Sequence, residues 1–174
     1  MVTVFDVARY ILDKRGTVGA MSLQKLCYYA QAWHLAWEGE ALFVDDFEAW
    51  RDGPVVRDLW TKSARRISLL PPHIDGVPDR LSEAQRLVVD AVLQAHGAKT
   101  GRELSALTHR EGPWVDTRIG LRPGEGSRRV IPKERMAVYF KALGEHRTDW
   151  SEESVDDALA RFIANNDNLL RRLA

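Results

Sequence analysis

"SLQKLCYYAQAWHLAW", residues 22–37, holds the chain's only cysteine together with two tyrosines, two tryptophans, a lysine and a histidine. Taken group by group it has the look of an active site. Placed on a helix, Leu23, Leu26, Cys27, Ala30, His34 and Trp37 fall on one stripe that Tyr29, Trp33 and Ala36 widen, so the spacing predicts a helix buried over most of its circumference. Ser22 is its expected cap and Gly39 its stop. Cys27 lies mid-helix, away from the helix N-terminus or basic neighbour that lowers a thiol pKa, so core packing is its expected role. His34 is expected to be a satisfied core histidine, and the Tyr29, Trp33, Trp37 series lacks the basic groove of a base-stacking surface.

Working outward, "TVFDVARYILDKRG" (3–16) reads as a helix with Thr3 as cap, Asp6 in the first turn and Gly16 as stop. Residues 42–56 carry Phe43, Phe47 and Trp50 among acids without helical period, with a turn at Asp52-Gly53-Pro54. A short β element near residues 42–52 is expected there, and Pro54 suits the first turn of the helix that follows. The proline-rich 68–81 segment reads as linker-like and need not be a domain boundary. Ser82 with Gln85, and Thr100 with Glu103, have the spacing of capping boxes heading two further helices. Gly112-Pro113 opens a short helix, residues 120–129 read as an exposed loop, and Pro132 opens a helix ended by Gly144. The expected architecture is mainly α: a compact single-domain bundle of six to eight helices with that one β element. Residues 1–148 form the domain. Residues 149–174 form a C-terminal amphipathic helix packed on the same domain or on a partner.

Composition narrows the function. Twenty-five Lys/Arg balance twenty-five Asp/Glu, so no net charge draws the chain to nucleic acid or an anionic membrane, and neither is an expected partner. The N-terminus lacks a signal-peptide pattern and no segment approaches eighteen apolar residues, so a cytoplasmic location is expected. The five histidines, at 34, 73, 96, 109 and 146, never fall at the i, i+4 spacing of two zinc ligands on one helix face. Arg118, Arg122, Arg128 and Arg129 surround a Gly/Pro loop and make the best local anion site, with a solvated loop as the default. No nucleotide cradle, nucleophile elbow or Cys-x-x-Cys is present. No cofactor, metal or catalytic residue is therefore assigned.

Three ordered blocks, "MSLQKLCYYAQAW" (21–33), "FEAWRDGPVV" (47–56) and "ELSALTHREGPW" (103–114), resemble the Panacea domain, also called the SocA-like antitoxin domain. "DVARYILDK" and "IPKERMAVYF" fit the same pattern, so the resemblance spans about residues 3–143. The matching positions are Leu23, Gln24, Lys25, Leu26, Tyr28, Tyr29, Gln31, Glu48, Trp50, Gly53, Pro54, Thr108, His109 and Trp114. The resemblance implies a type II antitoxin from a prokaryote or phage, which neutralises a cognate toxin encoded beside it by direct contact or by delivery to an energy-dependent protease. Some relatives add a helix-turn-helix segment, whereas the thirty residues beyond the resemblance read here as one amphipathic helix, also able to mediate homo-oligomerisation.

The arm at 42–56 and the loop at 109–114 both combine turn chemistry with Trp and Arg, residue types enriched at interface hot spots. Trp50, Arg51, Arg57, Arg110 and Trp114 are the expected toxin-binding residues. Two other functions compete: a DNA-binding repressor, and a small hydrolase or transferase using His109 with Glu111 or Asp116. The last requires a carboxylate within hydrogen-bond reach of His109.

Overall fold

The computed structural model describes residues 1–63 and 66–145, within which the chain forms seven α-helices and two two-stranded antiparallel sheets. The mainly α expectation holds. Residues 149–174, expected as an amphipathic helix, lie outside the described residues, as does His146.

Helix α1, Val4–Arg15, starts where the backbone N–H and the hydroxyl of Thr3 both donate to Asp6 Oδ2 at 2.9 Å, and stops at Gly16, whose N–H donates to Leu12 O. The proline-rich segment wraps this helix. It contributes strand β4, Ser68–Leu69, and two 3-10 turns, Pro71–His73 and Pro78–Arg80. Val77 N–H donates to the buried Asp6 Oδ1 at 2.7 Å and Arg9 donates to Ile74 O at 3.3 Å. A buried carboxylate and a partly exposed guanidinium therefore fasten the segment onto α1.

Helix α2, Ala20–Glu38, is the central element. Every residue from Leu23 to Leu35 is buried, so the helix is enclosed on all sides. Its start differs from expectation. The preceding strand β1, Val18–Gly19, pairs antiparallel with β4, and Ala20 N–H donates to Ile67 O at 3.0 Å. A strand partner meets the first donor of the helix, so the helix begins before Ser22 and needs no hydroxyl cap. Gly39 closes it at φ 73°, a left-handed position that favours glycine.

The β element near 42–52 is a hairpin of β2, Glu48–Trp50, and β3, Gly53–Val55, in register Glu48↔Val55, Ala49↔Pro54 and Trp50↔Gly53. Pro54 is thus a strand residue, and helix α3, Arg57–Ser63, starts three residues later. In this short hairpin the proline's missing N–H costs little, while its carbonyl is used by a side chain of α2. Helices α4, Glu83–His96, and α5, Gly101–Thr108, open on the expected capping boxes: Gln85 N–H donates to Ser82 Oγ and Glu103 N–H to Thr100 Oγ1. Helix α6, Gly112–Thr117, carries Pro113 in its first turn, and α7, Lys133–Glu145, continues through Gly144 instead of stopping there.

Helices α7, α4 and α5 pack around α2, with α1 and α3 beside it. Tyr28 and Phe47 meet edge to face at 5.4 Å, Trp33 and Phe140 at 5.3 Å, and Trp33 stacks on Trp37 at 5.1 Å, so the aromatic side chains of the opening stretch are core. Cys27 is fully buried among them and burial pushes its thiol far above the ordinary range, which keeps it protonated and inert. His34 Nδ1 is 2.7 Å from Glu40 O, a satisfied core histidine.

Gln31 shows how much of this depends on single polar side chains. Its Oε1 accepts from Leu42 N–H at 2.8 Å and Phe43 N–H at 3.2 Å, and its Nε2 donates to Phe43 O at 2.9 Å. Replacing Gln31 by Leu strands three buried backbone groups, each costing about 1–3 kcal/mol. Gln31→Leu should lose at least about 3 kcal/mol in urea denaturation; an unchanged midpoint would show that the arm is held by other means.

Candidate protein-interaction surface

The β2–β3 hairpin is fixed through its backbone from every side. From α2, Lys25 Nζ donates to Pro54 O at 2.9 Å, while Gln24 accepts from Val56 N–H at 2.9 Å and donates to Val56 O at 3.2 Å. From α5, Ser105 Oγ donates to Asp52 O at 2.9 Å. From α6 and its exit, Trp114 Nε1 donates to Trp50 O at 2.9 Å and Arg118 Nη1 to Ala49 O at 2.7 Å. From the 120–131 loop, Arg129 O accepts from Ala49 N–H at 2.8 Å, and Ile131 N–H donates to Phe47 O at 2.7 Å. Helix α7 closes the far end, where Lys133 donates to Val44 O at 2.9 Å and pairs with Asp46.

Glycine at 53 is required by this geometry. It has φ +102°, and an added Cβ would lie 2.7 Å from both Lys25 Cε and Thr108 Oγ1. The turn, the lysine and α5 therefore converge on a point where only a hydrogen fits.

The residues expected to bind a toxin are distributed around this hairpin. Arg51, at the turn, is exposed and forms a solvent-facing ion pair with Asp52 at 3.1 Å. Such a pair adds little stability and leaves both groups free to exchange partners. Trp50 is half-buried, with its Nε1 donating to Glu48 Oε2 at 2.6 Å and its ring 5.1 Å from that of Trp60. Arg57 and Arg110 are exposed. Trp114 is different: its ring lies between His109, stacked at 4.1 Å, and the Arg118 guanidinium at 5.0 Å, so its indole positions the hairpin.

Sequence reading missed Trp60 and Arg118. Trp60 is 47% exposed, because in α3 only Leu59 and Ser63 turn inward; that helical pattern was the available signal. Arg118 was grouped with Arg122, Arg128 and Arg129 as an anion site. It is instead buried, and it donates to Ala49 O and Glu125 O. Arg129 donates to Thr117 O and Ile119 O, and Arg122 pairs with Glu125. Three of the four arginines are thereby engaged within the loop region, and Arg128 has no carboxylate within 4 Å among the described residues. Lys25 is buried as well: it is 1% exposed, and burial, opposed by Asp52, pushes its amine down to about 7.

The arrangement required for hydrolysis by His109 does not form. Its ring rests on Trp114, burial foremost and then the charge of Lys25 lower its pKa, and neither carboxylate hydrogen-bonds to it. Asp116 pairs with Arg135 at 3.0 Å, and Glu111 Oε1 accepts from Tyr29 at 2.8 Å. Among the described residues no cluster of His, Cys, Asp or Glu is arranged to hold a metal ion, and no helix is long and apolar enough to cross a membrane.

Two predictions follow from these contacts. Gly53→Ala should cost at least about 2 kcal/mol, through the strained φ and displacement of Lys25 and Thr108, read by thermal denaturation; wild-type stability would show that the turn relaxes freely. Glu111 gives a pH signature. Burial, opposed by the Tyr29 hydrogen bond, pushes its carboxyl from 4.5 up to about 7, so its contribution is full below pH 4.5 and is lost as pH rises through 7, about 3 kcal/mol in all. His96 works oppositely, since burial and then Lys99 lower it from 6.5 to about 3 and its contribution is lost as pH falls through that range. The stability of wild type minus that of Glu111→Gln should therefore fall between pH 4.5 and 7, with His96 cancelling in the difference; a flat difference would refute the buried carboxyl.

Residues 23–115 match the protein family described as antitoxin SocA-like, Panacea domain. No curated protein and no solved structure matches the chain. The matched span runs from the first buried leucine of α2, through the hairpin, to the residue after Trp114, and so contains every side chain that clamps the hairpin from α2, α5 and α6. It exceeds half of the chain, and the protein belongs to the SocA-like Panacea domain family of antitoxins.

Proposed function

We propose that this chain is an antitoxin that neutralises a toxin encoded beside it, and that it does so through the hairpin surface made by Trp50, Arg51, Arg57 and Arg110. Family membership supports the antitoxin role. The observation that carries the choice of surface is the fixing of the hairpin backbone by five neighbouring elements while Arg51 stays exposed at its tip and Arg57 and Arg110 stay exposed beside it. A prefixed backbone bearing arginine and tryptophan binds without paying to order a loop, and those residue types dominate interface energetics.

Trp114 belongs to the same surface by a different role. Its alanine variant removes the donor to Trp50 O and the platform for His109 and Arg118, so it weakens binding by loosening the hairpin. Neutralisation proceeds either by direct occlusion of the toxin or by its delivery to an energy-dependent protease, and both begin with this contact.

Titrating the product of the adjacent reading frame against Trp50→Ala, Arg51→Ala, Arg57→Ala and Arg110→Ala should show at least one variant weakened by about 2 kcal/mol, roughly thirtyfold. Wild-type affinity in all four would remove the surface from consideration. A protease-dependent fall in toxin level when both are co-expressed separates delivery from occlusion.

A further inference from the structure

Beside the hairpin lies a cleft of about 730 Å³, bounded by the first turn of α2, the hairpin, α3 and the glycine-containing loop at 124–128. Its size falls within the range of about 300–1,000 Å³ typical of ligand clefts. Its charge is one-sided. Lys25, Arg51, Arg66 and Arg128 line it against a single acid, Asp52. Arg51 is the only one of the three arginines with a carboxylate within 4 Å among the described residues, and that carboxylate is the Asp52 of the same cleft. The Lys25 amine, otherwise buried, has Pro54 O as its only hydrogen-bond acceptor among the described residues, which leaves donor capacity for a further oxygen. The first turn of α2 contains no acidic residue to offset its positive end. Apolar surface shares the cleft: Trp50 and Trp60, rings 5.1 Å apart, line it with Met21 and Val55.

We infer that this cleft receives an acidic segment of the toxin, one or two carboxylates flanked by an apolar side chain, with the carboxylates toward Arg66, Arg128 and Lys25 and the apolar group against Trp50 and Trp60. The inference rests on the antitoxin reading above. Charge complementarity selects the occupant. A nucleic acid strand needs a basic track along its phosphates, whereas the chain as a whole has no net charge and this cleft sets four basic side chains against one acid. A few carboxylates projecting from a folded partner satisfy the cleft without such a track.

The full chain and its Arg66→Glu/Arg128→Glu variant, both changed side chains being exposed, are titrated with the product of the adjacent reading frame at 50 and 300 mM salt. They are also titrated with a fluorescein-labelled hexapeptide alternating glutamate and leucine, and with its lysine counterpart. Expected are at least tenfold weaker toxin binding by the variant, weaker wild-type binding at the higher salt, and binding of the glutamate peptide by wild type alone. Wild-type toxin affinity in the double variant overturns the cleft assignment, and if Arg57→Ala or Arg110→Ala still weakens binding, the hairpin surface stands without it. If the toxin binds neither protein, the antitoxin reading falls, and the peptide still decides the cleft: no difference between wild type and variant overturns it. Displacement of the peptide by oligouridylate at lower concentration than by unlabelled peptide overturns it in favour of nucleic acid. A tenfold gain in peptide affinity on Glu152→Gln/Glu153→Gln/Asp156→Asn/Asp157→Asn overturns it in favour of the chain's own acidic tail.

Discussion

A helix that is enclosed on all sides leaves its neighbours no water for their backbone groups. Residues 42–56 are largely irregular, so most of their N–H and C=O groups have no strand or helix partner, yet Leu42, Phe43, Phe47 and Ala49 bring that backbone into the core. An unpaired buried backbone group costs about 1–3 kcal/mol, and several together would exceed the stability of most domains. The chain resolves this with three buried polar side chains on α2. Gln24 and Gln31, seven residues and thus two turns apart on one face, each form a two-way amide bridge to the arm, and Lys25 takes the Pro54 carbonyl. The rest of the fold, including the position of the hairpin, depends on these bridges.

They also explain why so polar a pattern sits in so buried a helix. A glutamine amide offers both a donor and an acceptor, so it imitates a strand edge for the segment it faces. Lysine has donors only, and it stands where a proline has removed the competing N–H and left a carbonyl. The cost of burying an amine is reduced because at neutral pH the amine, held near 7, need not be fully charged. Gly53 belongs to the same constraint, since any side chain there would collide with the lysine that holds the turn.

Local signals in the sequence were sufficient for what is decided locally. Thr3 with Asp6, Ser82 with Gln85, Thr100 with Glu103 and the stop at Gly39 all involve partners within four residues, and each is found where the spacing predicted it. The start of α2 was misread at Ser22 because its first donor is met by Ile67, and Pro54 was misread as helical because its role is set by Lys25, twenty-nine residues away. Arg118 shows the same limit for charge. Composition places an arginine beside Gly and Pro in a solvated loop, but its guanidinium turns inward to Ala49 O, sixty-nine residues away, under the ring of Trp114. The candidate surface was legible as residue types, while its unity was not, since the hairpin tip and the α5–α6 corner meet through Ser105 and Trp114 contacts that no spacing rule encodes.

Rigidity and chemistry are divided between the two faces of the hairpin. Toward the core its backbone is fully engaged, and the side chains there, Ala49, Val55 and Pro54, are apolar. Toward the outside stand Arg51, Trp50 and the neighbouring Trp60, with only an exposed ion pair and one indole hydrogen bond to restrain them. A surface built this way can change its outward residues without disturbing the bridges, because no outward side chain contributes to holding the backbone. Gln24, Lys25, Gln31, Gly53 and Trp114 thus form a fixed frame, and Arg51, Arg57 and Arg110 are what the frame displays.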